Sequence, residues 1–416
     1  MLPSSRHFLA LSLLAVAVPS PAQDWPQFLG PNRDLTTAST NVNLVWTGAE
    51  PPIRWKKEVG SGWSGPIVAD GSLVLHHRIK NEEVVACFDA LTGEPRWETR
   101  QPTAFRNSLS SDDGPRATPA IAGGRVFTFG AEGKLNCIDL ADGKLRWTVD
   151  TKQRFEADAG FFGPACSPLV EGGLVLMQVG GKDGHGIVAF ETETGKVRWK
   201  ATDHEAGYSS PTVATIGERR YALFFTRSGL VATDPLTGQL KIQFPWRSRE
   251  HASVNAATPL VTPHGIFLSA SYGTGAVMLR MRGEMAEPAW QGNDQLSNHY
   301  ATSVYQRGML FGFHGRVDFP PGAELRCVDA RTGVVLWRFD PIENGSVMLV
   351  NDQLLVLSGH GEFFAGPATS KLFKPSVRAQ LLGIDTRANA AFAQGIYYAR
   401  GKGKLVAVDL RAASGK

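Results

Sequence analysis

Apolar residues fall in short runs along this chain, broken every few positions by glycine, proline, aspartate or asparagine. The runs at 85–88, 135–138, 187–190 and 325–328 are rich in β-branched, aromatic and other apolar side chains and too short for helices, so they predict strands. The residues after each run are nearly constant. Asp89, Asp139, Glu191 and Asp329 close the runs; Gly93, Gly143, Gly195 and Gly333 stand a turn further on; Trp97, Trp147, Trp199 and Trp337 come after the same short interval. A weaker copy runs from Asp234 to Gly238 and carries Ile242 in the tryptophan position. The acid suits the free N–H groups of a turn, the glycine supplies a positive φ, and the tryptophan ends a second strand as an anchor for a neighbouring sheet. Each copy is a β-hairpin.

A second mark lies upstream of each hairpin: a small or hydroxyl residue, a proline, then an apolar strand. It stands at Gly65-Pro66, Thr118-Pro119, Ser167-Pro168, Ser210-Pro211 and Thr258-Pro259, with degenerate copies at Thr302-Ser303, Ser346-Val347 and Ala390-Ala391. Proline fits the first residue of a strand, where no ladder donor is needed. The two marks together give four strands per unit, and the prolines recur every 43 to 53 residues. One such unit cannot bury its own apolar face, so the units must stack. The expected fold is all-β, an eight-bladed β-propeller of four-stranded antiparallel blades. The ends supply its closure. Residues 405–409 form a third strand whose turn runs to Gly415 and Lys416 with no fourth strand, and residues 53–59 place Trp55 where the missing strand needs it. The N-terminal strand is expected to complete the last blade and leave no open edge.

Residues 1–22 read as a secretory signal: Arg6 and His7, an apolar stretch over 8–18, and small residues at Ser20 and Ala22. No cysteine stands at the cleavage point, so a periplasmic or secreted protein is expected rather than a lipoprotein, with no transmembrane segment. The chain then divides into the signal at 1–22, an N-terminal extension at 23–52 and the propeller at 53–416. Net charge is only +4 with no basic run, which leaves no electrostatic footprint for nucleic acid. Cys87, Cys137 and Cys327 occupy one slot of the repeat and Cys166 opens an inner strand, so the four cysteines read as buried small hydrophobes rather than disulfides.

In this topology the loops entering the inner strands share a face with the loops between second and third strands, the funnel face of the ring. Six of the ten histidines map there: His204, His251, His299, His185, His314 and His360. Trp63, Asp112, Asp113, Arg116, Tyr208, Asn255, Asn298, Tyr300 and Arg316 join them. The candidate ligand-binding set is Trp63, Arg116, His204, His251, Asn255, Asn298, His299 and Arg316. Convergent imidazoles and amides suit a small anion, a sugar or a metal ion; polar side chains lining a wet channel mouth are the plainer reading. Asp112-Asp113 reads either as a Ca²⁺ ligand pair or as a solvated turn. The glycines of 180–186 lie between two strands and so read as a hairpin loop rather than a phosphate loop. Residues 361–374, with Phe363, Phe364, Leu372 and Phe373, form a long insertion that either presents aromatics to a partner or packs on its own blade. Trp63 either stacks a planar ligand or fills a gap between blades.

The Asp-to-Trp hairpins resemble the repeat of quinoprotein (PQQ-dependent) dehydrogenases and their cofactor-free relatives, over roughly residues 53–416. The stretch 24–33 and the Phe313-to-Arg316 segment are similar to those of secreted bacterial propellers of this kind. For an enzyme the resemblance implies PQQ in the funnel, a Ca²⁺ held by carboxylates and amides, and an aspartate base. The adjacent cysteine pair of such enzymes is absent and no ligand set matches residue by residue. Catalytic residues and metal ligands are not assigned and no cofactor is predicted. The expected function is a monomeric interaction or ligand-binding scaffold without PQQ, taking a protein partner or small polar ligand on the funnel face. The alternative is a PQQ- and calcium-dependent alcohol or sugar dehydrogenase.

Overall fold

The computed structural model describes residues 23–412 apart from 40, 41, 45, 47–50, 111, 159, 252, 317, 320, 321, 341 and 343. The signal expected at 1–22 and the turn at Gly415 and Lys416 lie outside the described residues. Eight sheets of sequential antiparallel strands make the eight blades of a propeller. Blade one shows the plan: Ile67–Ala69, Ser72–Ile79, Glu82–Asp89 and Pro95–Pro102 from the axis outward. Its first three strands are almost wholly buried, while the outermost alternates between exposed and half-buried positions. Blade eight is made of Ala391–Ala393, Ile396–Gly401 and Lys404–Asp409, and its outer strand is Ile53–Glu58 from the other end of the chain. Ile53 stands opposite Val408 and Glu58 opposite Lys404, so the ring closes as the broken last repeat requires. Among the described residues one five-residue helix, Thr151–Phe155, interrupts the strands.

The tryptophans do more than pack. Trp55, Trp97, Trp147, Trp199, Trp290 and Trp337 each donate an indole N–H, at 2.8–3.1 Å, to a backbone carbonyl of the next blade. A Cβ placed on Gly93, Gly143, Gly195, Gly238 or Gly333 would lie 2.5–2.8 Å from the preceding blade's indole ring. The turn glycine therefore meets two demands, a positive φ and room for a neighbour's tryptophan. Asp89, Asp234 and Asp329 accept the turn's N–H groups as expected.

The strand-opening marks also link blades. The N–H groups of Gly65, Thr118, Ser167 and Thr258 donate to the hydroxyls of Thr118, Ser167, Ser210 and Thr302 in the following blade, at 2.9–3.0 Å. Hydrophobic clusters fill the wedges between blades, such as Leu223 and Phe225 against Ile266 and Leu268. All four cysteines are free and buried, and burial raises the thiols of Cys87, Cys137 and Cys166 to about 11.

Residues 24–37 cross the ring. Trp25 bridges to Val68 in blade one, and the Ile121 N–H of blade two donates to the Pro26 carbonyl. Arg33 reaches the carbonyls of Ser167 and Pro168 in blade three. Thr36–Thr37 adds a parallel strand to the inner strand of blade seven, Gly345–Val350. Blades three and seven are four apart in a ring of eight, so the segment spans the axis.

The stretch 361–374 is not a loop of exposed aromatics. Glu362–Pro367 is the third strand of blade seven, Phe363, Phe364 and Phe373 are buried, and Phe373 stacks on Trp337 at 6.1 Å. Only Leu372 is exposed among its large apolar side chains. The alternation of that strand was hidden because its hairpin has lost the Asp-to-Trp signature.

Candidate functional site

Loops of the funnel face bring together a smaller and different set of side chains than the histidine count suggests. Trp63 carries two guanidinium groups on its ring, Arg116 and Arg387, each 4.6 Å from the centroid. Its π surface is engaged by the protein's own cations rather than open for a planar ligand. Arg316 lies 4.2 Å over the ring of Tyr272, whose hydroxyl meets His299 Nε2 at 3.0 Å. His299 is packed between Tyr272 and Tyr300, and burial lowers its imidazole to about 4, so it is neutral at physiological pH. Burial likewise raises Tyr272 to about 12. Arg227 lies over Phe161 and donates to the His251 carbonyl.

The charges of this face are largely paired: Arg227 with Glu205 at 2.8 Å, Arg316 with Asp318 at 2.6 Å and Arg387 with Asp385 at 2.8 Å. Arg116 instead donates to the carbonyls of Asp112 and Gly114. Loops of the same face also carry exposed apolar side chains, Leu109, Phe319 and Ile384, at 60, 66 and 72 % exposure.

Of the eight candidates, Trp63, Arg116, His299 and Arg316 belong to this aromatic and guanidinium cluster. His251 is exposed at its edge, with its ring edge-on to Phe161. The other three serve the fold. His204 bonds Thr226 Oγ1 at 3.0 Å. Asn255 is buried and donates to the carbonyls of Thr226 and Trp246, while its own carbonyl accepts from Tyr208 and Ser209. Asn298 donates to the Phe313 carbonyl and accepts from Ser303. His314 accepts from the Ser297 N–H, and Tyr208 accepts from the N–H groups of Phe161 and Phe162. Asp112 is neither a solvated turn nor an open ligand: it is buried, and its two oxygens accept from Gly62 and Gly114. Arg227, Tyr272 and Arg387 were missed. Each lies on a loop of the right kind, so a search of those loops for arginine and aromatic residues, not histidine, finds them.

This donor set does not fit a calcium ion. Among the described residues no three of His, Cys, Asp and Glu gather. The Asp112 carboxylate and the amides of Asn255 and Asn298 are spent on backbone groups, Glu205, Asp318 and Asp385 answer arginines, and Asp158 and Glu132 accept from backbone N–H groups.

Fold and repeat together define a PQQ-like β-propeller, the class to which quinoprotein alcohol dehydrogenases also belong. Residues 80–313, more than half of the chain, match the family described as outer membrane protein assembly factor BamB, and the chain belongs to that family. It is 25 % identical to the outer membrane protein assembly factor BamB of Burkholderia pseudomallei over 304 residues, 70 % of each chain. It is 26 % identical over 189 residues to the quinohemoprotein alcohol dehydrogenase of Comamonas testosteroni, covering 41 % of this chain and about a quarter, 26 %, of that one. The solved structure of that dehydrogenase superposes over 94 % of this chain and 81 % of its own with a TM-score of 0.67 at 14 % identity. BamB from Moraxella catarrhalis superposes over 87 % of this chain and 99 % of its own with a TM-score of 0.59 at 15 % identity. At these identities the superpositions show the fold alone. Among the described residues no helix is long and apolar enough to cross a membrane.

Proposed function

We propose that this chain is a binding scaffold of the bacterial cell envelope that holds a protein partner or a small polar ligand on its funnel face, as a monomer and without PQQ. In this reading residues 1–22 are an export signal, 23–52 an extension and 53–416 the ring. The observation that carries it is the make-up of the funnel face. Arginines laid on aromatic rings, on a face whose loops also expose Leu109, Phe319 and Ile384, are the composition of a recognition surface. His204, Asn255 and Asn298 are consumed by the fold rather than arranged as acid, base and nucleophile. The family match supports a scaffold role over a catalytic one.

Site-specific photo-crosslinking in cells tests this. Crosslinkers at 109, 319 and 384 are expected to give a discrete heavier species, and the same group at Leu91 or Leu236 on the opposite face none. Crosslinks confined to the opposite face would overturn the reading. So would dye-linked alcohol oxidation by the purified protein given PQQ and Ca²⁺, which would favour the dehydrogenase. An intact mass beginning after Ala22 is the expected sign of export.

A further inference from the structure

Arg33 is a buried charge that its surroundings leave unbalanced. Its side chain is 2 % exposed, on the segment that spans the axis between blades three and seven. A guanidinium carries five N–H donors. Nη1 donates to the Pro168 carbonyl at 2.9 Å and to Gln27 Oε1 at 3.2 Å, and Nη2 donates to the Ser167 carbonyl at 3.2 Å. Nε has no partner among the described residues, and one Nη2 hydrogen is also left over.

The group also lacks a counter-charge. Among the described residues no carboxylate forms an ion pair with it. The adjacent Asp34 turns its carboxylate onto Thr36. The charged-group neighbour that acts on Arg33 is Cys166, a thiol that burial keeps neutral. Arg400, the other fully buried arginine among the described residues, also leaves its Nε without a partner there, but the field of Asp112 offsets its burial. Burial lowers Arg33 only to about 10, so it stays charged at neutral pH. A buried cation without a counter-charge is strongly destabilising, two unfilled donors add to that, and the Phe28 ring, 5.8 Å from the Arg33 Cζ, offsets only part of it. Both costs are met by one thing, a small anion on the free donors.

We infer that the central channel holds a small inorganic monoanion of the halide class on the free donors of Arg33, where it acts as the counter-ion that fixes residues 24–37 across the ring. The site is distinct from the funnel-face cluster, since Arg33 is carried by the extension and held by blade three. It neutralises the cation where no side chain does, and it couples docking of the N-terminal segment to anion concentration.

The test uses bromide as probe. Crystals of the full mature chain grown in sodium bromide are expected to show an anomalous peak within hydrogen-bond distance of Arg33 Nε. In solution, replacing sodium gluconate by sodium bromide at constant ionic strength is expected to raise the melting temperature of the wild type by several degrees. Arg33→Met should lose that response and Arg33→Lys keep part of it. A water at Nε with no anomalous signal, or equal bromide responses in wild type and Arg33→Met, overturns the inference. If Arg33→Met does not fold, the wild-type map and the bromide-against-gluconate comparison still decide it.

Discussion

The junction between blades three and four and the next one round, between blades four and five, are built from the same repeat and held differently. At the first, Trp199 donates to the Pro235 carbonyl at 3.0 Å and its ring covers Gly238. The Ser167 N–H donates to the Ser210 hydroxyl, and Arg220 pairs with Glu171 across the gap at 2.8 Å. At the second, Ile242 replaces the tryptophan, and a Cβ on the turn glycine, Gly283, would meet nothing within 4 Å. The equivalent hydroxyl, Thr258 Oγ1, is buried without a partner among the described residues. Donor, covered glycine and hydroxyl link are lost together. In their place stand the apolar wedge around Ile242, the Asn255 clamp at the funnel end and Glu284 reaching Arg219 and Lys241 at the other. A ring tolerates the loss of a repeated device where packing and a local clamp replace it.

The largest expected contrast is in the side chains themselves. Trp199→Ala should lower unfolding free energy by about 3–5 kcal/mol, read as a shift of the urea midpoint. Ile242→Ala removes less volume from a buried place and should cost about 2–4 kcal/mol. The glycines should separate more cleanly. Gly238→Ala drives a Cβ into Trp199 from a φ of +73° and should cost about 2–4 kcal/mol. Gly283→Ala, at +63° in open space, should cost about 1–2 kcal/mol from backbone strain alone. Equal losses at the two glycines would mean that the indole does not confine the turn, and the comparison would fail.

The contrast explains what the sequence made legible. Blade number, the strand order of each blade and closure through Trp55 came from two marks that recur at fixed places. Trp290 escaped notice because blade five has no Asp-to-Gly turn to announce it, although it donates to Ala330 like the others. The route of residues 24–37 across the axis had no repeat to betray it. Asn255, Asn298 and His204 lay on the expected loops, but a loop position does not say which carbonyl stands beside an amide. Only the fold shows that Asn255 is a clamp. Arg387 and Trp63 are more than 300 positions apart in sequence and meet only because the ring closes.

The hydroxyls offer a smaller and sharper test. Ser210→Ala should leave the Ser167 N–H unanswered in a buried place and cost about 1–2 kcal/mol. Thr258→Val keeps the shape and removes a hydroxyl with no partner of its own, so its midpoint should stay within about 0.5 kcal/mol of wild type or rise. A costly Thr258→Val would reveal a bonded hydroxyl and restore the repeat at this junction.

The smallest effect expected is the most diagnostic of how the second junction is held. Glu284 is 43 % exposed and its partners Arg219 and Lys241 approach it at 2.7 and 3.5 Å. Such a pair contributes less than about 1 kcal/mol and is screened by salt. Glu284→Gln should therefore shift the midpoint by a few tenths of a kcal/mol at low ionic strength, and by nothing measurable in molar salt. No variant at the first junction is expected to show that pattern except those at Arg220 or Glu171, because an indole hydrogen bond and a covered glycine do not answer to ionic strength. Hydrogen exchange makes the same point in an Arg220→Gln background, where the first junction has lost its ion pair. Raising salt should then speed exchange at the Gly283 turn of blade five and leave the Gly173 turn of blade three unchanged, and no response at either turn would show that the apolar wedge alone holds the second.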